Sequence, residues 1–320
     1  MIKRIKWIKY LLSDPFENLP EDLQATFRVQ REWVDKRGLL LVTAHFLSGV
    51  GAGAWLIGWL FNYTFGLALA AGVVALSGLV HLVFLGRPDR FWQMVLKPQT
   101  SWISRGLWSM SIFIPAAFLY FLPTYFRNLP WSMASSFGKA MLIASLIGMT
   151  GIFVYKGFVY TVSRAIPLWN SPLLPLVYIA YGIRGGVALT LVTLPFVNVV
   201  IDMGGLKIWW VIASVLVLFL FSLEVGMANH NVAAAKSVHD LIRGPISPIF
   251  YGMMIIGFLV PMVLVALSYF TTTLGLATLA AVGWMSLIGD FTYKYCINKV
   301  AAYIPLLSGF PVRFLHRMKA

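Results

Sequence analysis

Long apolar runs separated by short polar breaks set the rhythm of this chain. A helix needs about 20 apolar residues to cross the hydrocarbon of a bilayer. Eight segments qualify: residues 39–61, 65–86, 103–123, 138–160, 172–197, 206–228, 247–268 and 274–297. None alternates apolar and polar residues as barrel strands do, so helices are expected. The breaks carry turn chemistry, as at Asn62-Tyr63-Thr64, Gly86-Arg87-Pro88, Asn128-Leu129-Pro130, Gly204-Gly205 and Gly244-Pro245. The pattern predicts an all-α integral membrane protein of eight transmembrane helices, arranged as two four-helix bundles. Residues 39–297 form the membrane domain, flanked by a basic segment, 1–38, and a basic tail, 298–320.

Composition agrees. The 320 residues are 59% hydrophobic and 11% charged, with a mean hydropathy of +0.81, whereas soluble domains carry about 25% charged residues. The spans use the length, leaving no room for a separate soluble domain. Met1–Leu12 is basic, but its apolar residues alternate with lysines and run into Ser13-Asp14-Pro15. It reads as an interfacial helix with lysines at the headgroups rather than a cleavable signal. The single cysteine, Cys296, cannot ligate an iron–sulfur cluster or build a structural zinc site, so a redox metal belongs to a partner or is a haem.

The net charge of +14 records orientation rather than nucleic-acid binding. Of the 25 lysines and arginines, only Arg127, Lys139 and Lys207 fall opposite the N-terminal side, and Arg184 lies within the membrane. An even number of spans puts both termini on the basic side. The positive-inside rule makes that side cytoplasmic, in the cell (inner) membrane.

Ionisable residues inside spans are costly and mark functional sites. His45, His81, Lys156, Glu224 and Asp290 fall toward the terminus-bearing face. His45 lies about 9 Å into the first span by helix rise, and Arg184 is close to the midplane. Each has a structural reading of its own: a histidine bonded to a carbonyl, a snorkelling lysine, an Asp–Arg pair. Converging on one level from several spans, they favour a one-sided cofactor pocket over a symmetric pore. The small residues from Ser48 to Ala54, Gly49 among them, either let helices approach closely or open room for a flat ring beside His45.

Here a resemblance enters. Ala44-His45-Phe46-Leu47-Ser48-Gly49-Val50-Gly51-Ala52-Gly53 is similar to the first span of the NrfD/PsrC family, the membrane subunits of polysulfide reductase and related complexes. His81-Leu82 followed by Leu85-Gly86-Arg87-Pro88-Asp89-Arg90-Phe91 resembles the corresponding region of that family and of DMSO reductase anchors. Tyr155-Lys156-Gly157-Phe158 and Pro167-Leu168-Trp169-Asn170 resemble its fourth span and following loop. The likeness covers roughly residues 39–175 well, and later the span count mainly.

The resemblance implies a membrane anchor that exchanges electrons between a quinone, menaquinone or ubiquinone, and a peripheral four-cluster, ferredoxin-like iron–sulfur subunit. Through that subunit it serves a catalytic subunit, often a molybdopterin enzyme. It implies quinone hydrogen bonds from His45 and Tyr155, a quinol-oxidation role for His81, and no haem or cluster in this chain. Lys156 departs from the family pattern, which more often has a neutral residue there, and a lysine beside the tyrosine either favours an anionic quinone or changes which way electrons flow. Quinone chemistry moves two electrons and two protons, so proton-exchanging groups are needed at the ring oxygens. Arg184, Glu224 and Asp290 are candidates for a proton path, and Arg87, Arg90, Trp92 and Trp169 for partner docking. Two other classes are weighed. A haem b anchor would use His45 and His81 as axial ligands. A secondary transporter would show internal repeats and midplane charges, whereas the sequence has no convincing repeat and its charges lie off-centre.

Overall fold

In a computed structural model, residues 27–270 and 275–304 are described. The interfacial helix expected over Met1–Leu12 and most of the basic tail lie outside them. The described residues are helical, apart from loops and one isolated bridge, Val29 to Ala302. We number the main helices α1 (Gly38–Leu60), α2 (Thr64–Phe84), α3 (Trp102–Tyr125), α4 (Ser136–Thr161), α5 (Leu174–Thr193), α6 (Met203–Met227), α7 (Val232–Arg243), α8 (Ser247–Phe270) and α9 (Leu276–Val300). Starts are capped where the sequence supplies an acceptor. Ser101, Ser135, Asp202 and Asn231 each accept a backbone N–H from the first turn of α3, α4, α6 and α7.

Among the described residues, seven helices are long and apolar enough to span a bilayer: α1 to α6 and α8. The eighth expected span, α9, has the length, 25 residues, but Asp290, Lys294 and Lys299 dilute its apolar character. Asp290 and Lys294 are buried, at 1% and 5% exposure, so α9 turns its charge inward. The short α7, absent from the expected spans, is an amphipathic, half-buried helix between α6 and α8 at the end where the described termini meet.

Burial ranks the helices. The apolar stretches of α1 and α5 are 72% and 78% buried, against 28–39% for α2, α3, α4, α6 and α8. In the first half, α1 packs on α2, α2 on α3, α3 on α4, and α4 returns to α1. Helix α5 is the hub, touching α1, α4, α6 and α9, while α8 packs on α9. The α1–α5 seam is made of glycines four apart on both helices, Gly49 and Gly53 facing Gly182 and Gly186. Small residues at this spacing let backbones meet where lipid gives no hydrophobic drive. A side chain on Gly53 would run into the Gly182 carbonyl.

At the terminus-bearing end the two ends of the described segment are clasped together. Gln30, fully buried, donates its side-chain N–H to the Asn298 carbonyl at 2.6 Å, and its backbone N–H to the Ala301 carbonyl at 2.8 Å. Tyr303 N–H reaches the Arg28 carbonyl at 2.8 Å, and Ile304 N–H the Ala165 carbonyl at 2.9 Å. Lys299 pairs with Asp35. Backbone N–H groups of Glu32 itself and Arg31 hold the Glu32 carboxyl below its ordinary range. Several basic residues at this end fasten backbone: Arg37 caps the C-terminus of α2 on the Val83 and Leu85 carbonyls, and Arg105 holds the Pro98 and Gln99 carbonyls.

Candidate functional site

A polar cluster sits under this clasp, built by five helices. His45 comes from α1, about 10 Å below the helix start by rise, and His81 from the last turn of α2. Their ring centroids are 5.3 Å apart. Tyr155, Lys156 and Tyr160 come from the last two turns of α4, and Lys294 from α9. His45 is 4% exposed, Tyr155 5% and Lys156 fully buried, so all three are removed from water.

The hydrogen bonding brings a second tyrosine to His45. His45 Nδ1 bonds the Tyr160 hydroxyl at 3.0 Å, whereas Tyr155 meets His45 edge to face with centroids 6.2 Å apart. The reason is helical phase. Tyr155 packs on Gly106 of α3 beside Ser48, while Tyr160, more than a turn later, swings toward α1 and α5. Tyr160 stacks on Tyr178 with centroids 5.2 Å apart. Tyr160 and Tyr178, with Lys294, belong to the cluster and were missed in the sequence reading. The signal available was the order Tyr155-Lys156 then Tyr160, together with a second lysine, Lys294, one turn from Asp290. His81 is partly buried and bonds the Ser77 carbonyl at 2.9 Å through Nδ1.

Lys156 is the unusual member. Its ammonium lies over Gly49, where a Cβ would come within 2.8 Å of Nζ, and it has no hydrogen-bond partner among the described residues. Gly49 therefore leaves room for a charged group.

A roof closes over the cluster. Trp33, from the N-terminal segment, packs 5.2 Å from both Tyr160 and Trp169 by ring centroids. Trp169 is 2% exposed. That corrects its expected docking role: it faces inward and covers the site. Arg87, Arg90 and Trp92 lie on the surface, in and beside a 3-10 segment, Pro88–Leu96, with Trp92 53% exposed.

The three residues expected to form one path separate into two places. Arg184 and Asp290 are ion-paired at mid-depth, fully buried, which corrects the shallower placement of Asp290. Arg184 also donates to Ser214 Oγ at 2.8 Å and to the Gly257 carbonyl. Gly257 belongs to a π-helical turn, Ile255–Leu259, inside α8. Such turns offset the backbone ladder, and this one brings a carbonyl to the guanidinium. Phe258 covers the guanidinium face at 4.0 Å. Glu224 stands apart, near the end of α6, lining a cavity of about 120 Å³ with Asn170, Ser171 and His230. It is 5% exposed, and neither carboxylate oxygen has a hydrogen bond among the described residues. Tyr293 and Tyr181, stacked with centroids 4.3 Å apart, occupy the interior next to the Arg184–Asp290 pair and Glu224.

The sequence is 26% identical over 168 residues to the C subunit of polysulfide reductase from Wolinella succinogenes, covering 45% of this chain and 53% of that protein. It is 23% identical over 229 residues to the NrfD homolog of Haemophilus influenzae, covering 61% of this chain and 68% of that protein. The match thus spans about half the length of the first relative. The family described as "Polysulphide reductase, NrfD" matches residues 37–302, from the residue before α1 to just past the end of α9. This multi-pass membrane protein belongs to the NrfD polysulphide reductase family.

Proposed function

We propose that this protein is the quinone-reactive membrane subunit of an oxidoreductase complex, with its site at the His45 cluster. The reading rests chiefly on one observation: proton-exchanging side chains from α1, α2, α4 and α9 converge, buried, beneath the clasp. Family membership and a relative named as part of a polysulfide reductase support it. The residues suit a menaquinone or ubiquinone. An imidazole and a phenol are matched donors for two ring oxygens, and an unpartnered buried ammonium points to a polar group that the protein itself does not supply. When bound, a quinone supplies two-electron, two-proton carrier chemistry.

In this proposal His45 holds one ring oxygen and exchanges its proton through Tyr160. Tyr155 and Lys156 serve the other end, and His81 guards the membrane-side opening. Trp33 and Trp169 exclude water from above. Glu224 is the group that exchanges protons with the cavity, with Tyr293 and Tyr181 leading inward toward Arg184 and Asp290. Helix α9 counts as the eighth span, so that α1 to α4 and α5, α6, α8 and α9 make two four-helix bundles. The partner is a peripheral iron–sulfur subunit on the clasp side, serving a catalytic subunit and docked over Arg87, Arg90 and Trp92. That side is cytoplasmic by charge bias, in the inner membrane.

The test uses the complex isolated from native membranes through a tag on this subunit. His45→Ala and Tyr155→Phe are expected to lower quinone-linked turnover at least about tenfold, toward the roughly 10²–10⁴-fold that acid–base groups supply. Dye-linked turnover and complex yield should hold. Unchanged quinone kinetics in both variants would reject the site. A haem absorption band lost in both His45→Ala and His81→Ala would replace the reading with a haem anchor, and a preparation without iron and labile sulfide would remove the partner.

A further inference from the structure

Charge does not balance around the His45 pocket. Lys156, from α4, is fully buried with an unpartnered ammonium. Lys294, from α9, is 5% exposed and sets its ammonium over the Tyr178 ring at 3.7 Å from the centroid. The two lysines flank His45 from opposite sides: Lys156 lies over Gly49, one turn from His45 on α1, and Lys294 lies over Tyr178, which stacks on the Tyr160 that bonds His45. The nearby carboxylate, Asp290, is already ion-paired with Arg184, and Glu224 faces its own cavity. Two buried amines thus adjoin one cluster, and the one carboxylate among the described residues that reaches Lys294, Asp290, is shared with Arg184. A buried ammonium without a counter-ion is strongly unfavourable, whereas an anion brought between two would gain charge-assisted hydrogen bonds. The Tyr178 face offers Lys294 weaker cation–π support in the meantime.

Resting on the quinone reading above, we propose that Lys156 and Lys294 act together as an anion clamp, making the site prefer ring ligands that carry an ionised oxygen over neutral rings of the same shape. Gly49 is part of the device, since a methyl group there would displace the Lys156 ammonium. Lys156 approaches from the first half of the molecule and Lys294 from the last helix, so the clamp straddles the α1–α5 seam.

The experiment uses the purified full-length protein in nanodiscs and follows quenching of tryptophan fluorescence, Trp33 and Trp169 being beside the cluster. The probes are 2-hydroxy-1,4-naphthoquinone, ionised at neutral pH, and its neutral 2-methoxy counterpart. The wild-type protein should bind the ionised probe at least about tenfold more tightly, the scale of one charge-assisted hydrogen bond. Lys294→Met should lose most of that preference while still binding the neutral probe, which also reports that the variant is folded; Lys156→Met, which removes a group at the ring's own end, should lose the preference and bind both probes more weakly. Should one variant fail to fold, the other carries the test. Equal wild-type affinities, or a preference that survives in the folded variants, would overturn the clamp and leave the pocket standing. A wild-type protein that binds neither probe would overturn both the clamp and the quinone reading.

Discussion

Replacing Arg184 by methionine is expected to destabilise the folded protein by about 3–5 kcal/mol, the usual effect of removing one partner from a buried ion pair. The guanidinium is fully buried, and it bonds Asp290, Ser214 and the carbonyl of the π-helical turn in α8. Without it, Asp290 is left charged and unpaired in the interior, and the Gly257 carbonyl loses its donor. The double variant Arg184→Met with Asp290→Leu should recover most of the loss, because an apolar pair of similar volume is often neutral where a broken pair is not. Thermal unfolding of the purified protein in detergent reads both. A single variant as stable as wild type would show that the pair does not hold α5, α8 and α9 together.

A valine at Gly53 should be more disruptive for its size than any other apolar change in α1, weakening the protein by about 3 kcal/mol or more. The contact lies between backbones, so there is no flexible group to yield. The Gly182 carbonyl and the Gly186 backbone block the added atoms, and α1 and α5 would have to part. Gly72, on α2, is the control. A Cβ there meets nothing within 4 Å, so Gly72→Val should stay within about 0.5 kcal/mol of wild type. Similar losses of monodisperse protein from both variants would refute the seam as the structural axis.

The spans were legible because hydropathy follows directly from the bilayer's demand that backbone polar groups be satisfied within each segment. The expected boundaries fall within a few residues of the helices from α1 to α6 and in α8. Helix α9 was harder to read. Its apolar residues are mixed with Asp290 and Lys294, whose burial depends on what α5 and α8 present to them, and that is tertiary information. His45, His81, Tyr155 and Lys156 could be put at one depth by counting turns. Which tyrosine reaches His45 could not, since it depends on the rotation of α4 about its axis. Trp169 illustrates the same limit: an aromatic residue in a loop looks the same in sequence whether it faces a partner or, as here, packs inward against Trp33 and Tyr160.

The clasp carries a consequence for the order in which the molecule is made. Gln30 and Asn298 are separated by 268 positions, and ribosomes add about 5–20 residues per second. Roughly 15–50 s therefore pass between the appearance of one half of this contact and the other. During that interval α1 to α4 can insert and gather His45, His81, Tyr155 and Tyr160, but Lys294 and the Asn298 carbonyl do not yet exist. The site is completed last, by the final helix, so a polypeptide truncated before α9 holds a half-built pocket with Gln30 unpaired above it.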